Sequence, residues 1–300
     1  MLISICIATY QRPKLLIKLL DSISELELPD NINIEIIIVD NDADLSAKEV
    51  IKEYLDRSKL NLFYFDQPIK NISITRNLAV SKANGELIAF IDDDEIASNM
   101  WILELYQTLI RYNADGVFGK VTSYFLPSTP EWITSCYLYN RPIFKTGTIA
   151  SITRSGNCLI KKTILNTVDG PFEPEYGITG GSDTKLFNLL ILKGAKFINS
   201  NEAETFEFVP PDRANLRWLI ARAFRTSNGY VRRSIELEKG NKLSLRIKFF
   251  FIGIIFSFIS LVLSIFFIMN KQKRIHWFLK MVGNSGKLLA VFNLYPSKYY

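Results

Sequence analysis

The sequence predicts an α/β domain, a mostly parallel Rossmann-like sheet flanked by helices, with membrane-associated helices at its C-terminal end. Three observations carry this. Apolar segments alternate with amphipathic ones over the first 120 residues, the order that builds a parallel sheet. Several apolar segments end in clusters of acids or hydroxyls, which sets polar groups along the carboxyl edge where open α/β sheets bind ligands. Residues 249–269 form an uncharged apolar run of 21 residues. As a helix this run is about 31 Å long, enough for a bilayer core of roughly 30 Å.

Taken in order, strands are expected at 2–8, 33–39, 60–65 and 86–91, with helices between them at 13–24, 46–56 and 73–83. Pro13 suits the first turn of a helix, and Asn84-Gly85 stops the third helix. A fourth helix at 99–112 precedes a strand at 116–122. From Tyr124 to Ser151 the pattern loosens, then resumes with an apolar run at 158–160. A helix from Ser182 to about Lys193 and short strands at 195–198 and 205–209 close the domain. The expected organisation is an α/β domain at 1–212, a basic helical juxtamembrane linker at 213–248, a transmembrane or re-entrant helix at 249–269, and a basic interfacial segment at 270–300.

An apolar content of 48% in 300 residues is ample for a sizeable core. The net charge of +6 averages two unlike regions: residues 1–212 carry 20 Lys/Arg against 28 Asp/Glu, and residues 213–300 carry 16 against 2. A basic tail suits nucleic acid or an anionic membrane surface. The adjoining apolar run selects the membrane, so membrane lipids are expected partners and nucleic acid is not. Arg246 and Lys248 flank the run on one side and Lys271, Lys273 and Arg274 on the other, so the positive-inside rule gives no single topology. The stretch 277–295 is broken by Lys280, Gly283, Asn284, Gly286 and Lys287 and reads as interfacial. Cys6, Cys136 and Cys158 lack metal-ligand spacing and read as reduced core residues in a cytosolic compartment. Residues 2–8 lead into strand and helix punctuation, so no signal peptide is expected.

The chemistry gathers at strand ends. Asp92-Asp93-Asp94-Glu95 follows the apolar Leu87-Ile88-Ala89-Phe90-Ile91, so a buried strand delivers four carboxylates to one place. Their mutual repulsion is offset by a hard divalent cation or by solvent around an acidic turn. Thr9-Tyr10-Gln11-Arg12 and Asp40-Asn41-Asp42 end two other strands and should converge on the same crevice. Asp183 follows Gly180-Gly181-Ser182; either Ser182 or Asp183 caps the next helix, or Asp183 is a general base. The sole histidine, His276, lies beyond the apolar run, so a base in the crevice is not imidazole. No Gly-x-Gly-x-x-Gly or Gly-x-x-x-x-Gly-Lys-Ser/Thr cradle is present. A nucleotide would then be held by metal and cationic side chains. Arg76 is a phosphate or carboxylate partner, or a surface helix arginine.

Together, Ala8-Thr9-Tyr10-Gln11-Arg12-Pro13, Ile38-Val39-Asp40-Asn41-Asp42, Thr75-Arg76-Asn77 and Phe90-Ile91-Asp92-Asp93-Asp94-Glu95 resemble the family 2 glycosyltransferases of the GT-A fold, in order and in spacing. The resemblance covers residues 1–210. It implies that the DxD element, Asp92 to Asp94, binds Mg²⁺ or Mn²⁺ through Asp92 and Asp94 against a nucleotide-diphosphate sugar, a UDP-sugar first among them. Thr9, Arg12, Asp40, Asp42, Arg76, Asp92 and Asp93 then line the donor pocket, and Asp183 is the catalytic base of an inverting displacement. Ser182 stands where the family has glutamate. Processive members carry Gln-x-x-Arg-Trp; here Arg217-Trp218 is kept but Ala214 replaces the glutamine, which favours addition of a single sugar. The tail, with Arg222-Ala223-Phe224-Arg225, resembles the subgroup that includes succinoglycan glucosyltransferases. The resemblance thus implies a lipid-linked saccharide acceptor met near Arg217, Trp218, Arg222 and Arg225, and a place on the cytoplasmic face of the inner membrane. Two other readings compete: a sugar-phosphate nucleotidyltransferase, which would want a Gly-rich loop after the first strand, and an inert membrane-tethered sugar-binding scaffold.

Overall fold

In the computed structural model, which describes residues 1–295, the first four strands form the expected parallel layer. They are β1 (Leu2–Thr9), β2 (Asn33–Asp40), β3 (Leu62–Asp66) and β4 (Leu87–Phe90). β1 pairs with β2 from Leu2↔Asn33 to Thr9↔Asp40, and with β4 from Ile3↔Leu87 to Cys6↔Phe90; β2 pairs with β3. This register brings Thr9 and Asp40 level at one edge. The connecting helices are α1 (Pro13–Ser24), α2 (Lys48–Arg57) and α3 (Ile72–Lys82). α1 opens on proline and buries Leu16, Leu19, Leu20 and Ile23, one stripe at helical spacing.

Beyond β4 the sheet turns antiparallel. β5 (Glu95–Ala97), α4 (Trp101–Arg111), β6 (Gly116–Tyr124), α5 (Glu131–Thr134), β7 (Cys158–Lys161) and α6 (Lys162–Leu165) follow. Next come a single 3₁₀ turn at Pro174–Tyr176, α7 (Ser182–Leu192) and β8 (Phe197–Phe208). β7 runs antiparallel to both β4 and β6, and β5 antiparallel to β8. The strand order is β3-β2-β1-β4-β7-β6-β8-β5. The sheet is therefore mixed, with its parallel half where alternation of strands and helices was legible.

Two expectations are corrected. Residues 195–198 and 205–209 were read as two short strands, but one strand of 12 residues covers the region. Its polar middle disguised it: Ser200 accepts from Thr108 Oγ1 at 3.0 Å and Asn199 donates to Thr148 Oγ1 at 3.1 Å, so these buried polar groups are satisfied by α4 and by the loop before β7. Glu95 was grouped with the three aspartates before it. Instead it opens β5, is 1% exposed, and accepts from Thr205 Oγ1 at 2.8 Å.

The Asn84-Gly85 stop is tied down by charge. Glu35 on β2 accepts from Ser4 Oγ (2.5 Å), Asn84 N (2.6 Å) and Asn84 Nδ2 (3.1 Å). Although burial pushes its pKa up, these hydrogen bonds hold it below the ordinary glutamate value. A side chain at Gly85 would meet Ser4 N and Oγ at 2.7 Å, so glycine is required there.

Packing divides the chain into two units. The first comprises residues 1–122 and 142–207, the second, among the described residues, 123–141 and 208–295, so part of the loosely patterned stretch after Tyr124 belongs with the C-terminal helices. In the first unit two clusters cover the sheet's faces, one around Ile3, Ile5, Ile7, Trp101 and Leu105, the other around Val39, Phe90, Phe172 and Phe187. The second unit contains α8 (Leu216–Leu237), α9 (Lys242–Phe266) and α10 (Lys271–Val291). α10 packs against both α8 and α9; at Gly253 of α9 an added side chain would meet Leu288 at 2.5 Å. α9 is long and apolar enough to cross a membrane, with mean hydropathy 2.7 and only 17% of that window buried. The segment 277–295, read as interfacial, is helical as part of α10 through Val291. The last part of the expected 270–300 segment, residues 296–300, lies outside the described residues.

Candidate active site

The end of β1 and the helix α3 meet the aspartates after β4. Thr9 Oγ1 donates to Asp93 Oδ2 at 2.9 Å, and the Tyr10 amide reaches the same oxygen at 3.3 Å. Arg12, just before α1, spans two acids: Nη1 lies 2.9 Å from Asp93 Oδ1 and 2.8 Å from Asp94 Oδ2. Arg76 on α3 pairs with Asp92 Oδ1 at 3.0 Å. Of the expected convergence of the β1, β2 and β4 ends, the β1 and β4 ends meet directly with Arg76 of α3 beside them, whereas the β2 end is joined to the turn after β1, through Gln11 and Asp42.

The aspartates differ in access. Side chains of Asp93 and Asp94 are 7% and 6% exposed, whereas Asp92 is 44% exposed. Burial pushes both inner carboxyls upward; for Asp94, Asp93 and Glu207 push the same way and Arg12 only partly offsets them.

Asp40 was expected to line the donor pocket. Its carboxylate is instead enclosed, accepting from Asp42 N (3.0 Å), Ala47 N (3.0 Å) and Tyr64 OH (2.9 Å), with no exposed surface. It shapes the loop after β2. Asp42 accepts from Gln11 Nε2 at 3.2 Å, joining that loop to the turn after β1. A second network braces α3: Asn71 Oδ1 caps the helix through the amides of Ser73 and Ile74, while Asn71 Nδ2 donates to Pro174 O.

Asp183 lies in the first turn of α7. The cap position belongs to Gly181, at φ +96° and with no side-chain cap bond, so the capping alternative for Ser182 or Asp183 is corrected. The half-buried Asp183 carboxylate accepts from Thr184 N at 2.7 Å and from Ser155 N at 3.2 Å. The next residue, Gly156, faces Asp92: a side chain there would meet Asp92 Oδ2 at 2.9 Å and Glu95 Oε1 at 2.8 Å. Asp92 and Asp183 thus flank consecutive residues, and backbone dimensions confine their carboxylates to within about 13 Å of each other. Cys158 feels both. Burial chiefly raises its thiol pKa, Arg76 opposes this, and Asp92 and Asp183 add to it. Sequence reasoning missed Ser155 and Gly156, whose one signal is a Ser-Gly-Asn turn before an apolar run.

Whether these residues suit a divalent cation depends on the donor set. Carboxylate oxygens are hard ligands, and among the described residues no group of three His, Cys, Asp or Glu could cage a metal. One or two carboxylates completed by phosphate oxygens and water is the arrangement Mg²⁺ favours, so the residues fit a cation shared with a diphosphate. Of the expected ligands Asp92 is the accessible one, while Asp94 is engaged by Arg12.

Arg217, Trp218, Arg222 and Arg225 lie on α8 in the second unit. Trp218 stacks on Tyr139 with rings 5.7 Å apart and nearly parallel at 5°, and the Arg222 guanidinium lies 4.8 Å from the Trp218 ring centre. The three cysteines are buried and unbridged.

The mixed sheet with its acidic strand-end turn is the fold of GT-A glycosyltransferases. Solved structures of that shape include S. aureus TarS 1–349 in complex with UDP-GlcNAc (TM-score 0.57, 14% identity, covering 95% of this chain and 92% of that one). Another is the mannosyltransferase PcManGT from Pyrobaculum calidifontis in complex with GDP-Man and Mn²⁺ (TM-score 0.61, 15% identity, 97% and 73% covered). Residues 4–168 match the family described as glycosyl transferase family 2. Over 242 residues, 79% of this chain and 77% of the relative, the sequence is 31% identical to succinoglycan biosynthesis protein ExoM of Rhizobium meliloti (strain 1021). The chain belongs to glycosyltransferase family 2.

Proposed function

We propose that the chain is an inverting glycosyltransferase that moves one sugar from a nucleotide-diphosphate sugar, a UDP-sugar first among them, to a lipid-linked saccharide during surface-polysaccharide assembly. The reading is carried by Asp92 and Asp183 flanking Ser155 and Gly156. Asp183 takes the proton from the acceptor hydroxyl as that oxygen attacks the anomeric carbon. The amides of Ser155 and Thr184 fix the orientation of its carboxylate. Arg76 brings a cation to the donor side, where a leaving diphosphate gathers charge. Arg12 keeps the two inner aspartates together in place.

Mg²⁺ or Mn²⁺, held by Asp92 and Asp94 together with donor oxygens, would supply Lewis-acid stabilisation of the departing diphosphate. UDP-GlcNAc and GDP-Man with Mn²⁺, bound in the neighbouring structures, support a nucleotide-sugar donor and a divalent cation. Membrane seating at the cytoplasmic face of the inner membrane is supported by the apolar α9 and by the succinoglycan role in the relative's name. Arg217, Trp218, Arg222 and Arg225 are assigned to the acceptor side.

The deciding experiment incubates the purified full chain with Mn²⁺, a panel of nucleotide sugars and a lipid-linked acceptor extract. Release of nucleoside diphosphate with extension of the acceptor is expected. Pyrophosphate from a nucleoside triphosphate and a sugar phosphate would mark a nucleotidyltransferase instead, and neither product would mark an inert scaffold. Mass spectrometry of lipid-linked saccharides from cells with and without the gene names the acceptor.

A further inference from the structure

A cavity of 240 Å³ lies in the second unit between the α5 region and the start of α10, walled by Trp132, Ser135, Tyr137, Gln272, Lys273 and His276 among others. Gln272 Nε2 donates to Ser135 Oγ at 2.7 Å, closing one side. Of the nearby lysines Lys273 lines the cavity itself, while Lys271 and Lys280 lie against its aromatic walls. Lys271 is 5.2 Å from the Trp132 ring centre, Lys280 4.3 Å from that of Tyr137, and Lys273 5.0 Å from that of Phe267. α5 contributes one acid, Glu131, whereas the chain from Lys239 onward contains no Asp or Glu. The last turn of α9 ends at Phe266, five residues before Lys271, and Met269 between them is 96% exposed.

We infer that this cavity takes the phosphate headgroup of an anionic phospholipid from the bilayer in which α9 is seated. The combination is the one a headgroup requires. An apolar span delivers the site to the interface, aromatic side chains favour the boundary between hydrocarbon and water, and lysines supply charge complementary to a phosphodiester. Size selects among anions. At 240 Å³ the cavity is smaller than the roughly 300–1,000 Å³ typical of small-molecule sites, which suits a headgroup and not a nucleotide sugar or a lipid-linked saccharide. Bound there, the headgroup fixes how deep the C-terminal helices lie. The inference rests on the membrane seating of α9 and is independent of the transfer chemistry.

The test follows thermal unfolding of the full chain in neutral detergent with added dioctanoyl phosphatidylglycerol, dioctanoyl phosphatidylcholine or inorganic phosphate. Phosphatidylglycerol should raise the unfolding temperature, and the other two should not. The double variant Lys271→Gln/Lys273→Gln should weaken the phosphatidylglycerol response by about tenfold or more in apparent affinity, from two charges lost near an anionic lipid. Lys239→Gln/Lys242→Gln, around the start of α9, should leave it unchanged. Should the pocket double variant misfold, Lys273→Gln alone replaces it, with an expected loss of about fivefold for the one charge removed. An equal response to phosphatidylcholine, or an undiminished response in the pocket variants, overturns the proposal; a response to inorganic phosphate alone assigns a soluble-anion site in its place. A chain that transfers no sugar but prefers phosphatidylglycerol keeps this site, and one that transfers sugar without that preference loses it.

Discussion

Asp183 and Asp92 both approach one short segment, the first through the Ser155 amide at 3.2 Å and the second against the bare Cα of Gly156. The segment leads directly into β7, which pairs with β4, the strand that carries the acidic turn. One antiparallel pairing therefore sets the spacing between the proposed base and the proposed donor site.

Asp183→Asn removes the proton acceptor while keeping shape and the capacity to accept a hydrogen bond. Donor binding, followed by calorimetry, should persist, and release of nucleoside diphosphate should fall by about 10²–10⁴-fold. Full activity would remove Asp183 from the role of base.

Gly156→Ala places a methyl group where Asp92 Oδ2 and Glu95 Oε1 now lie at 2.9 and 2.8 Å. One carboxylate must shift. The Mn²⁺ concentration for half-maximal transfer should rise several-fold, with a stability loss of about 1–3 kcal/mol typical of overpacking. An unaltered metal titration would separate Gly156 from the donor site.

Arg12→Met leaves Asp93 and Asp94 buried without their shared cation. A loss of about 3 kcal/mol at neutral pH is expected, the range for breaking a buried pair by removing one partner. Both carboxyls already have raised pKa values, so they protonate more readily folded than unfolded. The penalty should shrink as pH falls and those acids become neutral. Denaturant melts at acid and neutral pH read this directly, and a pH-independent deficit would contradict it.

Glu35 has the opposite sign. Its pKa is lowered in the fold, so its stabilisation is fully present above the ordinary glutamate value of about 4.3 and is lost as pH falls through the lowered one. Glu35→Gln should cost about 1.5–3 kcal/mol at pH 7 and flatten the acid limb of the stability curve. The same acid limb in the variant would exclude Glu35 as its source.

Asp94→Ala tests the metal assignment. Metal-dependent donor binding should weaken; unchanged dependence would leave Asp92 as the sole carboxylate ligand.

Local pattern alone determined the parallel half of the sheet, the start of α1 at Pro13, the stop at Asn84-Gly85 and the presence of an apolar helix, whose bounds, Lys242–Phe266 and not 249–269, only the structure gave. Each depends on local physics: hydrophobic periodicity, a fixed proline φ, an Asn-Gly pair that breaks a helix, a run of residues matched to a bilayer. The clustering of Thr9, Arg12, Arg76 and the aspartates was legible too, because strand ends of a parallel layer share one edge. Tertiary structure decided what no local pattern encodes. Asp40 became a buried brace because Tyr64 and two amides saturate it, Glu95 left the acidic turn because Thr205 on β8 claims it, and Gly156 acquired meaning only when β7 paired with β4. Partners distant in sequence determine burial and hydrogen bonding, and a chain read residue by residue does not contain them.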